Sequence, residues 1–404
     1  MTQSEFIFPD DPKRRRRRGW LTKLVIAFAV VIGLAVAAAG GGYVYVVSQL
    51  KASGIDIYST DGSTYDLPSA KEINGPINVL LIGSDTREGQ GSTSYGPVGN
   101  ALADVIILMH VSADRKNAVA LSFPRDLMVA MPACPDPEGG EDYSARNLVQ
   151  INATMNYGGP ACTLLTVQQL TGVRIPYLAM IDFKGVIAMS EAVGGVTVCV
   201  AEPIKDTYTN LYLDAGEHTL IGAEALAFLR TRHGVGDGSD LSRISNQQVF
   251  LTSLVRKLKD EGALTNPFTM LKIGTAALEN MTLSNSLTNI GVIFGMAKEV
   301  NDVDLDKITF LKLPVYDMDG EYAGRVAVVE DKAQLLFDKL ANDESLVIAK
   351  ANVGTGAVVA EEPATQSSPE EAASTAATDS ASVSDELLPD WVQGTNASVK
   401  SCSN

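Results

Sequence analysis

Histidine is nearly missing from this chain. His110, His218 and His233 are the three present in 404 residues, and they are too dispersed for the short ligand spacings of a zinc site. No G-x-S-x-G elbow occurs, which removes the nucleophile of an α/β-hydrolase, and no Walker loop occurs to cradle a nucleotide. The glycines of "GVGDGSD" follow a helical pattern rather than a strand, which excludes a dinucleotide-binding turn. Positive charge is also short. The net charge is −16, and beyond the N-terminus no basic face stands out, so no nucleic acid is expected as a partner. No internal repeat is visible.

The one dense basic run is Lys13 to Arg18, and it precedes an apolar stretch from Leu24 to Val47 that carries no charge. At ~1.5 Å per residue that stretch crosses the ~30 Å hydrocarbon layer. Basic residues before a span keep the N-terminus in the cytoplasm. The expected order is a basic cytoplasmic tail (1–23), a transmembrane helix (24–47), a polar linker (48–75), a folded domain outside the cell membrane (76–350) and a tail (351–404). A cleaved signal peptide competes, because "AVAAAG" has small residues, but the apolar run is longer than an ordinary signal core. Outside the membrane disulfides are permitted. Cys134 lies in the loop "MPACPDPEGG" and Cys162 opens a helix, so a bridge between them would pin loop to helix and is the favoured pairing. Cys199, in "VTVCV", reads as a small core residue. Four cysteines allow three full connectivities, which leaves the pattern open.

With 46% hydrophobic residues, the chain can bury one large core or two ordinary ones. Apolar runs suited to buried strands are "INVLLIG", "DVIILMHV", "NAVALSF", "YLAMIDF", "GVTVCV" and "ITFLKLPV". Helical patterns fall at roughly 147–157, 160–171, 184–193, 222–230, 240–260, 267–280 and 285–299. Strands alternating with helices predict an α/β domain: a central mixed sheet flanked by helices. From 355 the chain turns rich in Ser, Ala, Thr and acids, a composition predicting disorder, and its last piece, "LLPDWVQGTNASVKSCSN", docks back weakly at most.

A set of charges falls at the ends of the apolar segments. In "NVLLIGSDTREG", Asp85 and Arg87 follow the first strand. Asp104 opens the second, Arg125 and Asp126 follow the third, and Arg230 and Arg232 close a helix in "FLRTRH". Asp240, Arg243 and Gln247 stand at i, i+3 and i+7, within ~60° on one helical face. Guanidinium forks match phosphate oxygens, and carboxylates with phosphate oxygens satisfy Mg²⁺, so this mixture suits a diphosphate with a divalent cation. The plainer reading is a capped turn at Ser84–Asp85 and surface ion pairs worth under ~1 kcal/mol elsewhere.

The blocks "NVLLIGSDTREG", "LSFPRD", "INATMNYGGPACTLLTVQQLTGVRIPYLAMIDFKG", "AVGGVTV" and "GAEALAFLRTRHGVGDGSDLSRISNQQ" resemble, in order over 76 to about 315, those of the LytR–CpsA–Psr family. The "GDGSDLSRISNQQ" form and the cysteines are most similar to actinobacterial members. The resemblance implies a Mg²⁺-dependent phosphotransferase outside the membrane. It would move a glycopolymer from a polyprenyl-pyrophosphate carrier, a membrane lipid, onto peptidoglycan through a phosphodiester. Arabinogalactan is the expected polymer, with a teichoic-acid-like or capsular polymer next.

Carried over by position, Asp85 and Asp104 resemble the acidic pair near the metal, and Arg125, Arg230 and Arg232 the pyrophosphate clamp. Asp240, Arg243 and Gln247 match the motif heading the later helix, and Arg87 joins the substrate-binding set. Asp240 is the expected proton acceptor for the incoming hydroxyl. The prenyl tail is expected between the sheet and the helices at 160–171 and 184–193. Three positions depart from the family pattern: Leu102 where Arg is usual, Gln150 where Lys is frequent, and Asn246 in place of the Arg of an Arg-Gln pair. Each swap removes a cation. Two competing functions follow: hydrolysis of the lipid pyrophosphate, or non-catalytic binding and scaffolding of wall polymer.

Overall fold

A computed structural model describes residues 54–57, 75–85, 101–348, 350–360 and 387–404. The basic run, the apolar stretch 24–47, Arg87 and residues 361–386 lie outside the described residues. Among the described residues no helix is long and apolar enough to cross a membrane.

The central sheet has seven strands. In chain order the strands of this sheet and of a second, smaller one are β1 (Ile77–Ser84), β2 (Ala103–Val111), β3 (Ala118–Phe123), β4 (Tyr177–Ile181), β5 (Val196–Val200), β6 (Gly216–Leu220), β7 (Met281–Leu283), β8 (Ile308–Lys312), β9 (Ala357–Val359), β10 (Gly394–Asn396) and β11 (Ser401–Ser403). The large sheet runs β7-β4-β1-β2-β3-β8-β10 and the smaller β6-β5-β11-β9. All six apolar runs form strands, because each is long enough to be buried on both faces. The register lines up Leu80, Leu108 and Leu121 across β1, β2 and β3, all fully buried. Each such side chain contributes roughly 2 kcal/mol by leaving water.

The helices are α1 (Met155–Thr171), α2 (Phe183–Ala192), α3 (Ala223–Arg230), α4 (Asp240–Asp260), α5 (Pro267–Asn280), α6 (Ile290–Asp302) and α7 (Glu330–Ala341). Their starts are legible: the side chains of Asp182, Ser239, Asn266 and Asn289 each cap a backbone N–H of α2, α4, α5 and α6. One face of the sheet packs α1 and α7 through Leu164, Val167, Leu336 and Leu340. The opposite face packs α4 and α6 through Leu251, Val255, Val292 and Met296. The predicted helix over 147–157 begins late, because Arg146–Gln150 pairs as a strand with Met128–Met131. Within α1 the backbone leaves helical geometry at Gly158 and Gly159. A side chain at Gly158 would meet Cys134 and Cys162 Cβ at 3.0 Å, so the glycine lets their disulfide form there.

Three expectations fail at the edges of the body. The expected linker 48–75 is not linker throughout: Ile55 pairs with Ser284, and Ile57 is buried in the core. The tail 351–404 is not a disordered tail throughout, since β9, β10 and β11 join both sheets. Cys199 is not a lone core residue. It bonds Cys402, its register partner on the neighbouring parallel strand, with Cα atoms 4.4 Å apart. The signal was missed because residues 397–404 contain few large apolar groups. They enter the core through Ala397, Ser401, Cys402 and Ser403, all small enough to be covered by neighbours. The segment at 350–360 is tied down by Lys312, whose Nζ donates to Val353 O at 2.9 Å and to Ser245 Oγ. Burial lowers the Lys312 pKa to about 8.

Candidate active site

The antiparallel meander β1-β2-β3 explains why charges scattered in sequence meet. The end of β1, the start of β2 and the end of β3 all lie at one end of the sheet, so Asp85, Asp104 and Arg125 arrive together. The N-terminus of α4 delivers Asp240 to the same place, 3.2 Å from the Arg125 backbone N–H.

A bulge sharpens the aim of Asp104. Gly83 pairs with Val105 and Ser84 with Ala103, which leaves Asp104 as the extra residue of β2. A Cβ at Gly83 would sit 2.9 Å from that of Val105, so the close approach requires glycine. Released from the ladder, the Asp104 carbonyl accepts from Arg243 Nη2 at 2.8 Å, and its carboxylate accepts from Arg125 Nη1 at 2.7 Å.

Asp240 is the hub of the arginines. Its Oδ1 lies 2.6 Å from Arg243 Nη2 and 3.6 Å from both Arg125 Nε and Arg232 Nη2. Even so, Arg125 Nε, Arg232 Nη2 and Arg243 Nε are buried and form no hydrogen bond with the protein. A buried donor left unmade costs roughly 1–3 kcal/mol, more for a charged group. Burial, and then the charges of Arg243 and Arg125, lower the Arg232 pKa from the ordinary arginine value. Burial also acts downward on Arg125, but Asp104, Asp240 and Asp126 outweigh it and the net shift is upward. Guanidiniums crowded together with unmade donors are what an oxyanion would relieve.

The repeat "RTR" has a structural cause. Thr231 is extended (φ −60°, ψ 140°) and turns inward, donating to Asp206 at 2.6 Å, so Arg230 and Arg232 flank it. Asp206 is buried and also takes the backbone N–H groups of Tyr208, Thr209 and Arg232. Burial presses its pKa upward, but these hydrogen bonds prevail and hold it below the usual carboxylate value. Arg230 lies over the Phe183 ring, 4.2 Å from its centre.

A cavity of about 380 Å³ opens beside this cluster, between the sheet and α2, α3, α4 and α5. Its polar end carries Asp104, Arg230, Arg243 and Gln247; Ala179, Phe183, Val186, Leu226, Leu254 and Ile273 line the apolar remainder. The expected wall at 184–193 is present as α2. The expected wall at 160–171 is not: α1 packs the opposite face of the sheet, with Leu164 and Val167 in the other core.

Asp85, Asp104, Arg125, Arg230, Arg232, Asp240, Arg243 and Gln247 are thus gathered at one rim. Two of the three departures from the family pattern have a structural partner of their own. Asn246 is fully buried, donates to Phe228 O at 2.6 Å and accepts from Ser403 Oγ, so it serves the core rather than the cavity. Gln150 donates to Asp126, which also binds Arg325 at 3.2 Å, and that guanidinium restores a cation at this edge. Arg325 was not anticipated, since a lone arginine 199 residues from its partner gives no sequence signal.

For a divalent cation the donors are few. Asp85 Oδ1 accepts from Leu102 N at 2.9 Å and Asp104 Oδ1 is on Arg125. Among the described residues no group of three or more acids, histidines or cysteines is placed to hold a metal by itself. Two carboxylates fit Mg²⁺ only with substrate phosphate oxygens completing its shell, which is how that ion is usually held.

The chain is 26% identical over 332 residues to the cell wall biosynthesis protein LcpA of Corynebacterium glutamicum, covering 76% of this chain and 62% of that one. It is 29% identical over 257 residues to TagT of Bacillus subtilis, a polyisoprenyl-teichoic acid–peptidoglycan teichoic acid transferase, covering 61% of this chain and 74% of that one. The LytR-Csp2A-Psr enzyme from Actinomyces oris shares the fold, with a TM-score of 0.53, 21% identity, and coverage of 72% and 95%. The LytR_cpsA_psr family model matches residues 43–341, and the chain belongs to that family.

Proposed function

We propose that this protein transfers a glycopolymer from a polyprenyl-pyrophosphate carrier to peptidoglycan, outside the membrane to which residues 24–47 anchor it. The observation that carries this reading is the set of buried, unmade guanidinium donors of Arg125, Arg232 and Arg243, clustered around Asp240, with Arg243 also lining the polar end of an apolar cavity. A ligand with a diphosphate head and a long apolar tail would satisfy both halves. The name of TagT, with its polyisoprenyl-linked teichoic acid, supports the same substrate class; arabinogalactan remains the polymer we favour for this chain.

In the reaction the acceptor sugar hydroxyl attacks the phosphorus that bears the glycan. The bridging P–O bond breaks, a phosphodiester forms, polyprenyl phosphate leaves and one proton is released. Arg125, Arg232 and Arg243 hold the phosphate oxygens, and Arg230 and Gln247 guard the junction of head and tail. Such transfer is governed by position and charge neutralisation, which is what fixed guanidiniums supply. Mg²⁺, held by Asp85 and Asp104, would add charge neutralisation at the diphosphate. Asp240 is set aside as the proton acceptor, because its Oδ2 accepts from the Arg125 backbone N–H and its Oδ1 faces three guanidiniums at 2.6–3.6 Å; its role here is to keep them in one array.

The test is transfer by the full-length protein with a lipid-linked glycan and Mg²⁺. Release of polyprenyl phosphate is expected to require the peptidoglycan acceptor and to yield wall-linked polymer. Release that proceeds unchanged without acceptor would establish the hydrolase instead, and no release at all would favour the scaffold.

A further inference from the structure

Beside the arginines lies an aromatic surface that neither the cavity nor the phosphate cradle uses. Tyr208 is 81% exposed at the tip of the hairpin formed by Ile204–Asp206 and Leu211–Leu213, and Tyr212 is 58% exposed on the same hairpin. The Tyr208 ring stacks on His233, with centres 4.4 Å apart and planes tilted by 37°.

What fixes the pair is the carboxylate that fixes the site. Asp206 binds Tyr208 N at 2.8 Å through one oxygen; through the other it binds Thr231 Oγ1 at 2.6 Å and Arg232 N at 3.4 Å. His233 follows Arg232 directly in the chain. The aromatic pair and the phosphate-binding arginine are therefore bolted to a single buried side chain, and the hairpin cannot drift from the cradle without breaking those bonds.

The occupant follows from what adjoins a pyrophosphate in such a substrate. On one side is the prenyl tail, which the cavity takes. On the other are sugars, neutral rings with C–H bonds on their faces and hydroxyls at their edges. Aromatic π-faces carry negative charge density and attract such C–H groups. We infer that Tyr208 and His233 form a stacking platform for a pyranose ring of the glycan next to the reacting phosphate. This rests on the proposed function for the identity of the neighbouring group. The pyranose has two sources, the first sugar of the donor or the sugar of the acceptor strand.

Binding to the full-length protein in lipid nanodiscs separates these. Three probes are used: geranylgeranyl pyrophosphate without sugar, the same lipid carrying one N-acetylglucosamine on its pyrophosphate, and a soluble N-acetylglucosamine tetramer. Tyr208→Ala is expected to weaken a sugar-bearing probe about 5- to 10-fold, the size of one aromatic contact. Tyr208→Phe should bind like wild type, and the sugar-free lipid should bind all variants alike. A loss on the glycosylated lipid assigns the platform to the donor, a loss on the tetramer to the acceptor. Equal binding of both sugars by Tyr208→Ala and wild type would overturn the inference, as would a wild type that binds neither. Failure of the sugar-free lipid to bind, with tetramer binding still dependent on Tyr208, would sink the proposed function and leave the platform standing.

Discussion

Arg230→Ala/Arg232→Ala is expected to lower transfer by at least ~10³-fold in single-turnover release of polyprenyl phosphate. Each fixed donor facing developing phosphate charge is worth roughly 3 kcal/mol in a site shielded from water. The two side chains reach different parts of the site: Arg232 belongs to the cluster around Asp240, while Arg230 lines the cavity against Phe183. Arg232→Lys keeps the charge but loses the planar fork, and should fall between wild type and the alanine variant. The fold should survive, because both residues have partly exposed side chains and Thr231 keeps its bond to Asp206. A double variant with intact turnover would remove these arginines from the chemistry and favour a binding protein.

Removing the Cys199–Cys402 disulfide with Cys199→Ser/Cys402→Ser is expected to destabilise the protein by roughly 5 kcal/mol, since the bond closes a loop of 203 residues. Cys134→Ser/Cys162→Ser opens a loop of 28 and should cost about 3.5 kcal/mol. Against a total of about 5–15 kcal/mol, the first loss is severe. The effect should reach the site as well. β11 carries Ser403, whose hydroxyl holds Asn246 on α4, one residue from Gln247 in the cavity wall. Denaturant midpoints of the two double variants check the ordering, and a Cys199/Cys402 variant that unfolds at the wild-type midpoint would contradict it.

Much of this was legible in the chain, for reasons that differ by element. The six strands announced themselves because long apolar runs have few other uses. Asp85, Asp104 and Arg125 were readable as strand-end charges, and antiparallel pairing of β1, β2 and β3 then brings them to one end. Asp240, Arg243 and Gln247 were readable from helical spacing alone. The β2 bulge was not, since its cause is a contact between Gly83 and Val105 across two strands. Asp206 was missed because its bond to Thr231 spans 25 residues, and Arg325 because its partner lies 199 residues away. The last strands were missed because small residues such as Ser401 and Ser403 have no apolar signal, yet fill narrow spaces between strands that are already formed.

The most direct measurement is a crystal structure of the protein with geranylgeranyl pyrophosphate. The diphosphate should lie among Arg125, Arg232 and Arg243, with its oxygens on the guanidinium nitrogens that lack partners and the prenyl chain running past Phe183 and Leu254. A diphosphate bound elsewhere, or a chain outside that cavity, would contradict the shared site.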